Sequence, residues 1–164
     1  MTRAVLSIGS NLGDRLAHLR LAVAGFADVL VATSPVYETA PWGVTDQPDF
    51  LNAVLVVSDP EATEWTWLRR GQALEQQAGR VREQHWGPRT LDVDVVTVDG
   101  VTSTHPDLLL PHPGTPDRAS VLIPWLAVNP AAELPGRGPV SALLSALPEQ
   151  DRAGVHLRED LSLS

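Results

Sequence analysis

Asp92 and Asp94 stand two residues apart in the segment GRVREQHWGPRTLDVDVV, which runs from Gly79 to Val96. On an extended strand, period-two alternation puts both carboxylates on one face, roughly 7 Å apart. Leu91, Val93 and Val95 then point to the other face and anchor the strand in a core. Two carboxylates among valines are costly to keep ionised unless a positive charge compensates. Mg²⁺ is a natural one, because it takes a few carboxylates and completes its shell with substrate phosphates and water. Solvated aspartates on an edge strand, or ion pairs to arginine, would satisfy the same pattern.

Arg80, Arg82 and Arg89 bracket this segment. Guanidinium forks bind phosphate oxygens bidentately and stay charged at any relevant pH. Gly79, Gly87 and Pro88 give the loop turn chemistry, and Trp86 is a candidate apolar lid. Arginines ahead of an Asp-x-Asp strand suggest a metal–phosphate site, where catalysis consists of positioning and charge neutralisation. Upstream, Trp65, Leu68, Gln72 and Glu75 recur at helical spacing, which turns Gln72 and Glu75 towards the basic loop. His112 and Arg118 lie in the proline-rich LLLPHPGTPDR. Gly9–Gly13 lacks the lysine and full glycine pattern of a phosphate loop and reads as a turn leading into a helix cap.

The elements that must hold these groups follow from periodicity. Ala4–Ile8 reads as a buried strand. Asn11 or Asp14 caps a helix whose apolar stripe is Leu12, Leu16, Leu19, Val23 and Phe26. Val31–Thr39 is an edge or bulged strand interrupted by Pro35. Ala40–Asp49 is a loop and Phe50–Val57 a strand. Glu61–Ala78 is a second helix after Pro60. Thr90–Val98 is a strand, with Asp99-Gly100 turning it into Val101–Thr104. His105–Asp117 is loop, Ala119–Val128 a short helix and Pro139–Leu147 a last one, with about ten fraying residues at the end. Strand–helix–strand, strand–helix–strand predicts an α+β fold, a ferredoxin-like α/β sandwich with a largely antiparallel sheet, in one domain over 1–164.

The chain has 164 residues, 43% of them hydrophobic, and a formal net charge of −8. That composition is globular. The acidity argues against a broad nucleic-acid surface, which needs many exposed cations. There is no cysteine, which excludes disulfides, zinc thiolates and a cysteine nucleophile. All twelve cations are arginine, which excludes a P-loop lysine and Schiff-base chemistry. No signal peptide or membrane helix is visible, so the expected location is cytoplasmic.

Four segments together resemble the 6-hydroxymethyl-7,8-dihydropterin pyrophosphokinase family: IGSNLGD at 8–14, DQPDFLNAV at 46–54, GRVR…WGPRTLDVDVV at 79–96 and LPHP…DR at 110–118. The resemblance covers most of the chain, from Ala4 to about Leu126. It implies a ferredoxin-like α/β sandwich that transfers pyrophosphate from ATP to the pterin hydroxymethyl group in folate biosynthesis. It implies that Asp92 and Asp94 hold two Mg²⁺ ions on the ATP phosphates. Arg80 and Arg89 would then assist transfer, and Arg82 would sit in the same loop. Gln72, Glu75, His112 and Arg118 would line the ATP site, Val95 touching the nucleotide through its backbone. Thr39, Trp42, Phe50 and Asn52 would form the pterin pocket, with Phe50 stacking and Asn52 hydrogen-bonding. The family commonly carries an aromatic residue where this chain has Ser120, and the loop from Arg82 to Trp86 is one residue shorter than in some relatives. The implied partners are ATP and a hydroxymethyl dihydropterin, with other folate-pathway enzymes as further candidates and no nucleic acid or membrane. Two alternatives use the same residues: another Mg²⁺-dependent phosphotransferase or phosphohydrolase, and a non-catalytic nucleotide-binding module.

Overall fold

The computed structural model describes residues 2–39, 48–79 and 90–163. Strand β1 (Thr2–Ser10) leads to helix α1 (Arg15–Gly25), whose first turn is capped by the Asp14 carboxylate accepting from the Ala17 N–H at 3.1 Å. β2 (Leu30–Thr33) and β3 (Tyr37–Thr39) follow, separated at Ser34–Val36, and both pair with β4 (Phe50–Asp59). They are the two halves of the strand expected at 31–39, split by Pro35, which has no N–H for a ladder. Helix α2 (Glu64–Gln77) starts three residues later than expected, because Thr63 and Thr66 close a capping box there. β5 (Asp92–Val98) completes the main sheet, in the order β10-β3-β4-β1-β5 with β2 beside β4. All its pairings are antiparallel. With β2 and β3 counted as one strand, this is the expected ferredoxin-like arrangement.

The rest of the chain departs from the sequence reading. The Asp99-Gly100 turn forms, but only Val98 and Val101 bridge across it. The next strand, β6 (Ser103–His105), pairs instead with β7 (Leu108–Leu110), inside the stretch expected to be loop. Leu108 and Leu110 are buried with the main core while Leu109 is exposed, a strand alternation too short to stand out in a proline-rich segment. A 3₁₀ turn at Thr115–Asp117 precedes α3 (Ala119–Val128). The small hairpin β8 (Glu133–Leu134) and β9 (Gly138–Pro139) precedes α4 (Val140–Ala146). Part of the stretch expected to fray is strand. Helix α5 (Glu149–Ala153) follows, and β10 (Val155–Leu157) adds to the sheet beside β3.

The sheet buries both faces differently. Ala4, Leu6 and Ile8 of β1, Leu51, Ala53 and Leu55 of β4, and Val93 and Val95 of β5 face α1 and α2, packing with Leu19, Phe26 and Trp67. Phe26 and Trp67 are fully buried with ring centroids 6.5 Å apart, and truncating either to alanine would cost about 3–5 kcal/mol. Leu12, expected in the apolar stripe of α1, is exposed because it precedes the helix. On the opposite face, Val5, Val54 and Val96 pack with Val121, Leu122 and Trp125 of α3 and with Val140 of α4. This second core roofs part of that face. The rest of it carries Ser7, Asn52, Asp92 and Asp94 together with Phe50.

Candidate active site

Strand register fixes which of these side chains meet. Gly9 of β1 is opposite Asn52 of β4 on one side and opposite Asp92 of β5 on the other. Ser7 is likewise opposite Val54 and Asp94. Facing residues on antiparallel neighbours project to the same side. Asn52, Gly9 and Asp92 therefore form one row and Val54, Ser7 and Asp94 the next, on the face that α3 partly covers. Asp92 and Asp94 are both half-buried, while Val93 between them is in the core on the other side. The alternation expected for this strand holds.

Gly9 lies where β1 passes beneath Asn52. A Cβ on Gly9 would come within 3.0 Å of Asn52 Nδ2 and 3.5 Å of Phe50 Cδ1. The Asn52 amide cannot simply turn aside, because the Thr39 hydroxyl donates to Asn52 Oδ1 at 2.7 Å. Thr39 is opposite Phe50 in the β3–β4 ladder and is itself buried. Thr39, Phe50 and Asn52, three of the four residues expected around a pterin, are thus one contiguous patch. The fourth, Trp42, lies outside the described residues.

Helix α2 reaches β5 through a glycine. A Cβ at Gly71 would meet Val93 Cγ1 at 2.9 Å, so only glycine lets the helix approach this closely. One turn later, the Glu75 carboxylate accepts from the Val93 N–H at 2.9 Å and is 4% exposed. β5 is an edge strand, and a buried edge N–H needs a partner. The buried stripe of α2 is Trp67, Gly71, Leu74 and Glu75, whereas Trp65, Leu68 and Gln72 are only half-buried on its flank. Of the stripe expected from sequence, Glu75 alone is buried. Val95 also points into the core, so only its backbone is available to a ligand.

The proline-rich stretch returns to β5. The His112 N–H donates to Val96 O at 2.9 Å, which fixes the histidine against the strand two residues past Asp94. Burial holds the imidazole below its ordinary pKa; the positive charge of Arg118 adds to this and Asp92 opposes it. His112 therefore sits within electrostatic reach of both. The Arg118 guanidinium lies over Gly114, where a Cβ would be 3.1 Å from its Nε. Ser120, in the first turn of α3, is half-buried. Arg80, Arg82, Trp86 and Arg89 lie outside the described residues.

Sequence reasoning missed three supporting residues. Gly9 was read as turn, although β1 runs on through Ser10. Asn11, 1% exposed, donates from Nδ2 to Pro48 O at 3.0 Å. Arg15 donates from Nη1 to Glu38 Oε2 at 2.6 Å and to Asp49 O at 3.0 Å. The cluster Gly9–Asp14 signals a turn and a cap, and no local pattern in it marks these longer-range contacts.

Asp92 and Asp94 offer hard oxygen donors, and among the described residues no three His, Cys, Asp or Glu side chains gather to form a full cage. That donor set fits a divalent cation which draws the remainder of its shell from phosphate and water. Among the described residues no helix is long and apolar enough to cross a membrane.

Comparison with known proteins concerns the chain as a whole. A family model described as 7,8-dihydro-6-hydroxymethylpterin-pyrophosphokinase matches residues 5–130. A 2-amino-4-hydroxy-6-hydroxymethyldihydropteridine pyrophosphokinase from Mycobacterium bovis is 51% identical, over 96% of this chain and 90% of its own. A protein of the same description from Methylorubrum extorquens is 40% identical, over 94% of this chain and 98% of its own. A solved HPPK-DHPS in complex with substrates superposes with a TM-score of 0.69 at 13% identity, over 88% of this chain. This chain spans only 43% of that longer one, and the likeness concerns the fold.

Proposed function

Because the chain belongs to the 7,8-dihydro-6-hydroxymethylpterin-pyrophosphokinase family, we propose a division of labour for its residues. The enzyme transfers the pyrophosphoryl group of ATP to 6-hydroxymethyl-7,8-dihydropterin in folate biosynthesis. The observation that carries the residue assignment is the row Asn52–Gly9–Asp92, which sets an amide and a carboxylate on one face with one strand between them.

On the pterin side, Thr39 orients the Asn52 amide by its hydrogen bond, leaving Asn52 Nδ2 as a fixed donor. Phe50, next but one along the same face of β4, supplies an apolar ring against a flat heterocycle. Trp42 belongs to the same pocket in this proposal, and Ser120 leaves it without the family's usual second aromatic.

On the nucleotide side, Asp92 and Asp94 would hold Mg²⁺, two ions with ATP, which when bound neutralise phosphate charge. Glu75 fixes the backbone between the two aspartates. His112, tied to β5 at Val96 O, and Arg118, close enough to act on its charge, would complete the nucleotide side with Gln72 and the Val95 backbone. The pterin hydroxymethyl oxygen bonds to the β-phosphorus and releases its proton to solvent. The bond from that phosphorus to the α–β bridging oxygen breaks, and AMP leaves. Arg80 and Arg89 stabilise the charge that develops, Arg82 accompanies them, and Trp86 helps exclude water.

With ATP as co-substrate we place the reaction in the cytoplasm, and working contact with other folate-pathway enzymes belongs to the same proposal. The test is AMP release from ATP and Mg²⁺ with and without 6-hydroxymethyl-7,8-dihydropterin. Pterin-dependent AMP is expected. Phosphate release without pterin would replace this reading with that of a phosphohydrolase.

A further inference from the structure

We infer that Arg15 and Arg158, sharing the carboxylate of Glu38, act as a positioning clamp for the pterin side of the site, so that the carboxyl-terminal tail takes part in substrate recognition. The inference rests on the assignment of Thr39, Phe50 and Asn52 to the pterin pocket.

Among the described residues β3 is three residues long and pairs with β4 through Tyr37–Asn52, Glu38–Leu51 and Thr39–Phe50. So short a strand has little hold of its own, yet Thr39 on it sets the Asn52 amide. Additional restraint converges on Glu38, between the buried Tyr37 and Thr39. One carboxylate oxygen accepts from Arg15 Nη1 at 2.6 Å and the other from Arg158 Nη1 at 2.7 Å. The same Arg15 nitrogen donates to Asp49 O at 3.0 Å. A single guanidinium at the start of α1 therefore ties together the end of β3 and the residue before Phe50.

Arg158 is itself held in place. β10 pairs with β3 through Val155–Thr39, His156–Glu38 and Leu157–Tyr37. The Arg158 N–H donates to Val36 O at 2.9 Å. Asp160 grips the other side of the guanidinium, accepting from Nε at 3.0 Å and Nη2 at 2.8 Å. Bidentate pairing of this kind fixes orientation as well as charge. The side chains of Arg15, Glu38 and Arg158 are 22–30% exposed, so their ion pairs are partly screened and contribute modestly to stability. What they fix is where Thr39 and Phe50 stand. Arg158 lies beyond residues 5–130, the extent of the family match, so this part of the support comes from the tail.

The experiment compares Glu38→Gln and Arg158→Met with wild type in steady-state AMP release, varying pterin and ATP separately, alongside thermal unfolding without ligands. Asn52→Ala serves as the reference for the pocket. The clamp predicts a pterin KM raised about tenfold in both variants, because small misplacements of positioning groups are costly, with the ATP KM within about twofold, since no clamp residue adjoins Asp92 or Asp94. Lowered melting temperatures with both KM values unchanged, or both raised alike, would overturn it. If Asn52→Ala also leaves the pterin KM unchanged, the pocket assignment has failed; if Asn52→Ala raises it and the other two do not, the clamp alone has failed. Should Arg158→Met not fold, Glu38→Gln, isosteric with the native side chain, decides the matter.

Discussion

The carboxylate of Glu75 accepts the N–H of Val93, the residue between the two aspartates, from a helix that reaches the strand over Gly71. The backbone between Asp92 and Asp94 is thus held by a buried carboxylate from a neighbouring helix. Glu75→Ala would leave a buried N–H unsatisfied, a loss of about 1–3 kcal/mol. We expect it to lower the melting temperature and to raise the Mg²⁺ concentration needed for half-maximal AMP release. Glu75→Gln, which still offers an acceptor, should lose less of both. Equal losses in the two variants would mean that charge rather than backbone support is what matters at this position.

Asp94→Ala should reduce AMP release at least about a hundredfold, the scale of losing one preorganised electrostatic contact to the reacting group. The residue is half-buried at the edge of the sheet and outside both apolar cores, so circular dichroism and the melting temperature should stay close to wild type. Turnover near the wild-type rate at saturating Mg²⁺ would remove Asp94 from the site.

Gly9→Ala tests the closeness of β1 to the pterin patch. Its methyl would press on Asn52 Nδ2, which the Thr39 hydroxyl holds in place through the amide oxygen. We expect the pterin KM to rise about tenfold or more, equivalent to the loss of one hydrogen bond of about 1.4 kcal/mol. Binding of Mg·ATP, measured by calorimetry, should be unaffected, since none of the nearest contacts of the added methyl belongs to Asp92 or Asp94. Weakened nucleotide binding would show that the substitution had displaced β5 instead.

Acid should loosen the Glu38 cluster. The hydrogen bond from Arg15 holds the Glu38 carboxyl below its ordinary value of 4.5; burial opposes this and Arg158 adds to it. A carboxylate depressed on folding contributes stability that is fully present above the unfolded pKa and is lost as pH falls through the folded one. Wild type should therefore melt higher than Glu38→Gln at neutral pH, and the difference should shrink below about pH 4.5. A difference independent of pH between 3 and 7 would argue against the ion pairs as its source.

Much of this was legible in the sequence because it depends on short periods. The alternation of Asp92, Val93, Asp94 and Val95 fixed two faces without tertiary information. Pro35 announced the break between β2 and β3. Asp14 as a cap and Glu75 as an inward-facing acid followed from helical spacing. The parts that were not legible depend on contacts between distant segments. That β10 would return to β3, setting His156 opposite Glu38, 118 positions earlier, has no local signal in VHL, which is half-buried or exposed. Glu38 looks like any surface glutamate until Arg15 and Arg158 arrive from either side. Leu108–Leu110 pairs with Ser103–His105 rather than remaining loop, since two three-residue strands carry too little pattern to stand out among prolines.

Because Asn52, Gly9 and Asp92 occupy one row across three hydrogen-bonded strands, the interval between the two proposed half-sites is metered by the sheet itself, at about 4.5–5.5 Å per strand step. Loops can drift by ångströms, but a ladder admits only whole-residue displacements, and a slip of one residue sends every side chain to the opposite face. Such a slip in β4 or β5 would turn Asn52 or the aspartates into the core and Leu51 or Val93 out of it. Any chain that has folded with its apolar residues inside has therefore already set the distance between Asn52 and Asp92. On the proposed assignment, the coarse spacing of the site is inherited from the packing, and the finer placement of Asn52 and Phe50 is left to Gly9, Thr39 and the Glu38 cluster.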